Sequence, residues 1–276
     1  MDKYRVFGNP IKQSRSPLIH QSFAKSTQQQ LSYQSELVAI DGFNKKIEQF
    51  VNEQGKGANI TVPFKEQALA VCDHLSERAR LAGAVNTLSF VEGKILGDNT
   101  DGLGLVQDLI RNEVNLKNSK ILLLGAGGAA KGVVLPLLEQ QPEIIVIANR
   151  TISKAEDLCE QFTTDKKETK LTACGFEDVE NNNFDLIINA TSASLSGNVP
   201  PIPEKLIRPD VVCYDMVYGK ELTPFLHWAK NKGSEHVIDG LGMLVGQAAE
   251  SFAIWRGVKP EVESVITHLR KSLAAE

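Results

Sequence analysis

The chain has 276 residues, 42% of them hydrophobic and 23% charged, and this balance is typical of a globular protein rather than a disordered one. Its length favours two domains of roughly 100 to 150 residues each. The formal net charge of -4 comes without a basic stripe, so nucleic acid is not expected as a partner. No apolar run approaches the roughly 20 residues that cross a bilayer, and the N-terminus lacks a signal-peptide pattern, so no membrane role is expected.

Short apolar runs alternate with helical patterns along the whole chain, which predicts an α/β protein with mainly parallel sheets. In the first part, strands are predicted over residues 4–8, 31–38, 58–62 and 85–90. The last of these is predicted to turn at 92–93 into a hairpin whose second arm covers 94–97. Helices are predicted to begin at Pro17, Phe43 and Pro63, because proline is favourable at a first helical position.

A second series of strands predicts a separate sheet, over residues 121–124, 144–148, 186–189 and 211–215. A helix over 102–109 is predicted to carry the chain from the first unit to the second. A last strand over 236–238 precedes helices over 241–255 and 260–273, which are expected to return to the first domain.

A glycine-rich segment lies between the strand at 121–124 and the following helix, and it matches GxGxxG with alanine in the last position. Gly125 permits a tight turn, Gly127 lets the backbone approach a pyrophosphate, and Ala130 allows close helix packing. The free N–H groups at the start of the helix favour the pyrophosphate as well. The segment therefore predicts a dinucleotide site made of Gly125, Ala126, Gly127, Gly128, Ala129 and Ala130.

The next strand ends at Asn149, Arg150 and Thr151, where an NAD enzyme would place a carboxylate on the ribose 2′-hydroxyl. No carboxylate is present in this turn. The guanidinium of Arg150 suits a 2′-phosphate, and Thr151 and Lys154 add a hydroxyl and a second positive charge. The turn therefore predicts NADP as the cofactor, although polar residues also commonly cap a surface turn.

Two serines, Ser14 and Ser16, precede the helix predicted at Pro17. Ser16 is suited to be the N-cap of that helix. Two hydroxyl groups beside a helix N-terminus also form a neutral site for a substrate carboxylate. The residues alone leave both roles open.

Lys65 is predicted in the first turn of a helix that follows a strand, where the helix dipole disfavours a positive charge. A polar cluster over residues 97–102 follows another strand, and ligands collect at strand ends in α/β sheets. Asp101 from this cluster is predicted to face Lys65, together with Asn86. Surface lysines are usually just solvated, so this convergence is what distinguishes Lys65.

The cysteines and histidines predict no metal site. Cys72, Cys159, Cys174 and Cys213 are widely spaced and form no CxxC pair, which fits a reducing cytoplasm. The histidines at positions 20, 74, 227, 236 and 268 have no metal-ligand spacing, and each is expected to be a surface or capping residue.

The chain contains, in this order and over nearly its full length, GNPIKQSRSP, NITVPFK, GAVNT, GDNTDG, GAGGAA, NRT and DGLGMLVGQAAESF. As a set these segments resemble the shikimate dehydrogenase family. The resemblance implies a substrate-binding catalytic domain of residues 1–101 plus 239–276 around an inserted Rossmann-like NADP domain of residues 102–238, with the site in the cleft between them. It further implies a cytoplasmic enzyme that acts on a small molecule as a monomer or homodimer.

Carried over to matching positions, the resemblance implies that Ser14 and Ser16 bind the substrate carboxylate and that Tyr218 lies near it. It implies that the ring hydroxyls and the reacting oxygen are contacted by Thr61, Lys65, Asn86, Asp101 and Gln247. Beyond the residues given above for NADP, it implies a nicotinamide side lined by Thr191, Met216, Gly240 and Met243. The chain departs from the family at Ser194, where glycine is usual, and at Gly246, where alanine is usual. Serine tolerates fewer backbone angles than glycine, so the change at Ser194 bears on the backbone conformation of this cofactor-facing loop more than on the function.

The activity implied is the NADPH-dependent reduction of 3-dehydroshikimate to shikimate, on the pathway to chorismate and the aromatic amino acids. Hydride delivery to a carbonyl builds negative charge on oxygen, and we expect Lys65 to stabilise that charge and donate the proton while Asp101 holds Lys65 in place. A quinate/shikimate dehydrogenase using NAD or both cofactors is one alternative, but it would be expected to carry an acidic residue near 149–151. A non-catalytic sensor of NADP or a metabolite is another, but it would be expected to lack Lys65 and Asp101.

Overall fold

The structure is a computed structural model that describes residues 1–163, 169–180 and 183–275. The chain forms two compact units, one from Met1–Gly104 and Val245–His268 and the other from Leu105–Leu244 and Leu269–Glu276. Each unit is built on one six-stranded sheet, and helices alternate with the strands along the chain. The predicted α/β class is therefore confirmed.

The sheet of the first unit is mixed, so the expectation of mainly parallel sheets is only partly correct. Its strands are β1 (Asp2–Gly8), β2 (Leu31–Leu37), β3 (Gly57–Ile60), β4 (His74–Leu75), β5 (Thr87–Val91) and β6 (Lys94–Asp98). They lie in the order β2-β1-β3-β5-β6-β4, in which β5 is antiparallel to both of its neighbours. The predicted β5–β6 hairpin is confirmed, and Glu92 and Gly93 adopt the positive φ angles of a tight hairpin turn.

The α-helices between residues 1 and 111 are α1 (Ser16–Ser26), α2 (Phe43–Asn52), α3 (Glu77–Ala82) and α4 (Asp101–Arg111). The start predicted at Phe43 is confirmed, and α1 begins one residue before Pro17. The helix predicted from Pro63 is wrong, because the residues before a short 3-10 helix at Gln67–Val71 form turns. There the carbonyl of Lys65 accepts a hydrogen bond from the N–H of Val85, 2.8 Å away, instead of from the next helical turn.

Aromatic side chains form the centre of the first unit and fix the segment that carries Lys65. Helix α2 buries Phe43, Ile47 and Phe50 on one face. Phe64 stacks on Phe43 with ring centroids 5.0 Å apart, and both rings are buried. Burial of such a side chain stabilises the fold by about 1.5–3 kcal/mol, so Phe64 anchors the residue next to it.

The sheet of the second unit is entirely parallel. Its strands are β7 (Lys120–Leu124), β8 (Ile144–Ala148), β9 (Lys170–Cys174), β10 (Leu186–Asn189), β11 (Val212–Asp215) and β12 (His236–Asp239). They lie in the order β12-β11-β10-β7-β8-β9, the doubly wound arrangement that binds dinucleotides where the strand order reverses. The almost uninterrupted apolar runs of β7, β8 and β10 are typical of strands buried on both faces.

The remaining helices are α5 (Gly128–Leu138), α6 (Ile152–Phe162), α7 (Pro224–Asn231), α8 (Leu241–Arg256) and α9 (Glu263–Ala275). The two helices predicted near the C-terminus are confirmed, and α8 begins in the second unit and continues in the first. Within residues 1–163, 169–180 and 183–275, no helix combines the length and the apolar character needed to span a membrane.

Candidate active site

Lys65 and Asp101 form an ion pair in the first unit. The Nζ of Lys65 donates a hydrogen bond to Oδ2 of Asp101 over 2.6 Å. The side chains of Lys65 and Asp101 are 30% and 19% exposed, so the pair is reachable by a small molecule but partly shielded from water. The sequence predicted that these two residues would face each other, although it placed Lys65 in a helix rather than in the turn where it lies.

The amide of Asn86 holds the other oxygen of Asp101. Its Nδ2 donates to Oδ1 of Asp101 over 2.8 Å and also approaches Oε1 of Gln247 at 3.3 Å. Four of the residues expected at the substrate site, Lys65, Asn86, Asp101 and Gln247, are therefore linked by direct hydrogen bonds.

Asp101 is fixed by its own backbone as well. It is the first residue of α4, where the helix dipole stabilises a negative charge. Its N–H donates to Oδ1 of Asn99, and Nδ2 of Asn99 donates to the carbonyl of Ala84. Asn99 is buried, so the turn that presents Asp101 is tied to the segment before β5.

A cluster of buried hydroxyl groups lies behind Asn86, and sequence reasoning missed it. Thr87, Thr100 and Ser251 are all fully buried, and their oxygens lie 2.8 to 3.4 Å from one another. Asn59 donates from Nδ2 to Ser251 over 3.0 Å and to Thr87 over 3.3 Å. Their only sequence signal is an unusual density of Ser, Thr and Asn near the strand ends.

Ser16 is not the N-cap of α1, which corrects that part of the prediction. The N-cap is Arg15 without a side-chain cap bond, and Ser16 is the first helical residue. Its N–H donates instead to Oγ of Ser14 over 3.3 Å. Burial raises the pKa of the Tyr33 phenol well above its ordinary value, and the Ser16 hydroxyl beside it opposes that shift. Both serines are half-buried, and their roles toward a substrate remain predictions.

Thr61 follows β3 and is positioned by the neighbouring strand. Its N–H donates to the carbonyl of Phe7 over 3.0 Å. A methyl group added to Gly8 would lie 2.5 Å from Cγ2 of Thr61, so only glycine at position 8 leaves room for this side chain. Thr61 is half-buried.

Close packing explains glycine at position 246, although alanine is usual there in the family that the chain resembles. An alanine methyl at this position would lie 3.1 Å from the backbone of Gly104. Helix α8 therefore passes close to the start of α4, one residue before Gln247.

The glycine-rich turn of the second unit has the geometry of a dinucleotide cradle. Gly125 has a φ of 109°, which is unfavourable for a side chain, and a methyl group there would lie 3.1 Å from Cγ2 of Thr191. At Gly127 and Gly128, where α5 begins, an added methyl group would meet nothing within 4 Å. Open space therefore lies beside the first turn of α5, and the free N–H groups at a helix start favour a pyrophosphate.

The turn after β8 is cationic and exposed. The side-chain amide of Asn149 donates to the carbonyl of Thr151 over 2.9 Å, which shapes the turn. Arg150, Thr151 and Lys154 are exposed, and Thr151 is the N-cap of α6 without a side-chain cap bond. The two cations and the hydroxyl are therefore available to an anionic group.

The residues expected on the nicotinamide side cluster after β10, β11 and β12. Both N–H and hydroxyl of Thr191 donate to Oδ1 of Asn189, and the N–H of Met216 donates to the Asn189 carbonyl. A methyl group on Gly240 would lie 2.2 Å from the carbonyl oxygen of Met216, so these two segments touch through a glycine. Met243 is buried in the first turn of α8, and Tyr218 is half-buried after β11.

Ser194 has no positive φ angle, so the backbone at this position does not require glycine. It lies in a short 3-10 helix at Ala193–Ser196, and its hydroxyl donates to Oδ2 of Asp215 over 2.6 Å. Thr223 donates to the same oxygen, while Asn189 and the N–H of Val217 donate to Oδ1. The serine that replaces the usual glycine therefore supplies a donor to a fully buried carboxylate.

The cysteines form no disulfide, and one histidine lies in the core. The four cysteines are free thiols, and no group of His, Cys, Asp and Glu in the described part of the chain could hold a metal ion. The expectation that every histidine is a surface or capping residue is wrong for His20, which is fully buried. Its ring stacks on Tyr33, with centroids 4.1 Å apart, because one face of α1 packs into an aromatic cluster.

Three family models match consecutive parts of the chain. Residues 6–88 match the shikimate dehydrogenase substrate binding domain, residues 107–196 match shikimate/quinate 5-dehydrogenase, and residues 240–270 match the shikimate 5′-dehydrogenase C-terminal domain.

Relatives match the chain from end to end. Shikimate dehydrogenase (NADP(+)) of Colwellia psychrerythraea is 64% identical over 272 residues, which is 99% of this chain and 98% of the relative. The crystal structure of an Ael1 enzyme from Pseudomonas putida has a TM-score of 0.93 at 45% identity and covers 98% of each chain. Shikimate 5-dehydrogenase of Thermus thermophilus, in complex with NADP(H) and shikimate, has a TM-score of 0.85 at 32% identity and covers 99% of this chain and 100% of that one.

Proposed function

The chain belongs to the shikimate dehydrogenase family, and on that premise we propose that it catalyses the NADPH-dependent reduction of 3-dehydroshikimate to shikimate. The observation that carries the proposal is the ion pair between Lys65 and Asp101, whose nitrogen and oxygen are 2.6 Å apart. A sensor without catalysis has no need for this pair, and an NAD enzyme would be expected to place a carboxylate where Arg150 stands.

When bound, NADPH supplies the hydride that adds to the carbonyl carbon. Negative charge then grows on the carbonyl oxygen, and the ammonium of Lys65 stabilises it and transfers one proton to complete the alcohol. Asp101 accepts a hydrogen bond from Lys65, which orients the ammonium before the reaction. In the reverse direction neutral Lys65 takes the proton back.

The other substrate contacts follow from the polarity of the remaining side chains. Asn86 and Gln247 present amides beside Asp101, where ring hydroxyls of the substrate would exchange hydrogen bonds with them. Thr61 adds a half-buried hydroxyl. For the carboxylate of the substrate we propose the hydroxyls of Ser14, Ser16 and Tyr218.

For the cofactor we propose that the pyrophosphate lies at the start of α5, against the N–H groups from Gly127 onward. The 2′-phosphate is bound by Arg150, Thr151 and Lys154, and Asn149 shapes their turn. Thr191, Met216, Gly240 and Met243 contact the nicotinamide half. Free thiols at all four cysteines suit a reducing cytoplasm, where we expect a monomer or homodimer.

The test of the reaction follows the absorbance of NADPH on addition of 3-dehydroshikimate. Lys65→Ala is expected to lower kcat by about 10²- to 10⁴-fold, the usual contribution of a general acid. Its dissociation constant for NADPH is expected to stay near the wild-type value, and Lys25→Ala, on the surface of α1, serves as a matched control. A wild-type protein that leaves the substrate unreduced refutes the function, and an active Lys65→Ala removes Lys65 from the mechanism.

The test of cofactor choice compares NADPH with NADH. Arg150→Leu is expected to raise the KM for NADPH by about 10- to 100-fold, because a charge-assisted pair of hydrogen bonds is lost, and to leave the KM for NADH nearly unchanged. Lys170→Leu removes a cation at the opposite end of the parallel strands and serves as the control. Equal weakening of both cofactors would show that Arg150 does not bind the 2′-phosphate.

A further inference from the structure

An unbroken path of buried hydrogen bonds leads from Tyr33 to the carboxylate of Asp101. The hydroxyl of Tyr33 donates to Oδ1 of Asn59 over 2.7 Å, and Nδ2 of Asn59 donates to Ser251 over 3.0 Å. The oxygens of Ser251 and Thr87 lie 2.8 Å apart, and Thr87 donates to Oδ1 of Asn86 over 2.7 Å. None of these side chains is more than 6% exposed, so water does not replace their hydrogen bonds.

The orientation of the Asn86 amide is fixed by groups that have only one role. The backbone N–H of Thr100 can only donate, and it donates to Oδ1 of Asn86 over 2.9 Å. The Oδ1 position is therefore the amide oxygen, and the NH₂ group of Asn86 faces Asp101, whose carboxylate can only accept. In the reverse orientation the amide oxygen of Asn86 would face the carboxylate oxygen of Asp101. Its NH₂ group would then face the backbone N–H of Thr100.

The hydroxyl of Thr87 contacts the oxygen of the same amide. Thr87 has one proton, and its shortest contact to an acceptor is the Asn86 oxygen at 2.7 Å. The Ser251 hydroxyl lies 2.8 Å from that of Thr87, donates to the Gln247 carbonyl over 3.1 Å and accepts from Asn59. The groups between Asn59 and Asp101 are thus joined by buried hydrogen bonds, which strengthen one another in a site of low dielectric.

We infer that Thr87 and Ser251 are positioning residues of the Lys65–Asp101 pair, because their hydroxyl groups hold the Asn86 amide in the orientation that donates to Asp101. The inference rests on the proposed function, and neither residue needs to touch the substrate. Without the Thr87 hydroxyl, the Asn86 oxygen loses its shortest donor and the amide is less firmly held. Asp101 and the ammonium of Lys65 then lose a defined position relative to the reacting oxygen.

The test uses Thr87→Val, which keeps the shape of the side chain and its preference for a strand. We expect kcat for 3-dehydroshikimate to fall about tenfold, equivalent to about 1.4 kcal/mol in the barrier, with the dissociation constant for NADPH unchanged. Thr87→Ser, which restores a hydroxyl, is expected to recover most of that loss. Ser251→Ala is a second variant with the same expected direction, and Ser22→Ala, whose hydroxyl donates only within α1, is the control.

A double mutant separates positioning from a general loss of stability. In a Lys65→Ala background, Thr87→Val is expected to cause no further loss of kcat, because the group that it positions is gone. Equal fold losses in both backgrounds would overturn the inference, as would wild-type kcat in Thr87→Val and Ser251→Ala. Failure of the wild-type protein to reduce 3-dehydroshikimate would instead overturn the proposed function, so the two failures are distinguishable.

Discussion

Acid is expected to destabilise the first unit through His20. The imidazole is enclosed by Tyr33, Phe23, Phe252 and Trp255, and neither ring nitrogen has a hydrogen-bond partner. Burial lowers the pKa of His20 to about 3, and the nearby Asn59 amide opposes this only partly. Tyr33, the titratable group stacked on it, has a raised pKa and stays neutral. None of these four aromatic neighbours supplies a negative charge that would compensate a protonated His20.

The size of this loss of stability follows from the difference between the pKa of His20 in the unfolded chain and in the folded protein. In the unfolded chain His20 binds a proton below its ordinary pKa of about 6.5, whereas in the folded protein it stays neutral down to a pKa of about 3. The part of the folding stability that depends on neutral His20 is therefore fully present above pH 6.5. It is lost progressively as the pH falls from 6.5 toward 3. At pH 5 the loss is about 1.5 pH units times 1.36 kcal/mol, or about 2 kcal/mol. This value depends on the unfolded-state pKa and not on the exact folded one.

The assay is urea unfolding at pH 7 and pH 5, followed by the fluorescence of Trp255 in a Trp228→Phe background. In this reference protein the free energy of unfolding is expected to fall from pH 7 to pH 5. After the further change His20→Phe, which keeps the aromatic packing, the fall is expected to be smaller by about 2 kcal/mol. His268→Phe, at an exposed histidine, is expected to behave like the reference. The same pH dependence with and without His20 would refute the reasoning.

Two further substitutions test buried carboxylates in the second unit. Gly242→Ala would place a methyl group 1.9 Å from Oδ1 of the buried Asp108. We expect the free energy of unfolding to fall by about 2–4 kcal/mol, which is measured as a fall in Tm. The control Gly42→Ala, whose added methyl group has its nearest atom at 3.5 Å, should leave the Tm almost unchanged. Ser194→Ala removes one donor from the buried Asp215 and is expected to cost about 1–3 kcal/mol in urea unfolding, and an unchanged midpoint would contradict that role.

The second sheet was the most predictable part of the fold because its strands carry a strong and simple signal. The strands at 144–148 and 186–189 have the predicted bounds, since continuous apolar runs flanked by polar turns correspond to buried parallel strands. Strand β9 and helices α6 and α7 were not predicted. Four residues of β9, from Leu171 to Cys174, are only half-buried and the strand lies at the sheet edge, so it lacks the apolar pattern of the inner strands.

The candidate site was predictable where polar side chains follow strands. It was not predictable where contacts between distant segments determine the local backbone or the burial of a side chain. Lys65 and Asp101 were found together because both belong to short polar segments at strand ends. The turn around Lys65 was missed because the hydrogen bond from Val85 to the Lys65 carbonyl is made across 20 residues and leaves no local signal. Burial of His20 was missed for the same reason, since its aromatic neighbours come from distant segments.

The position of Lys65 and Asp101 cannot be explained by their mutual attraction alone. An ion pair with partly exposed side chains contributes only about 0–1 kcal/mol, too little to hold two flexible groups in one geometry. The buried side of the pair supplies the missing constraint, because Asn86 is held by donors that lie away from water and is therefore costly to turn. A side chain that must be both reachable and fixed thus depends on neighbours that the substrate never touches. For that reason we expect the hydroxyls of Thr87 and Ser251 to matter more for the rate than their distance from the reacting oxygen suggests.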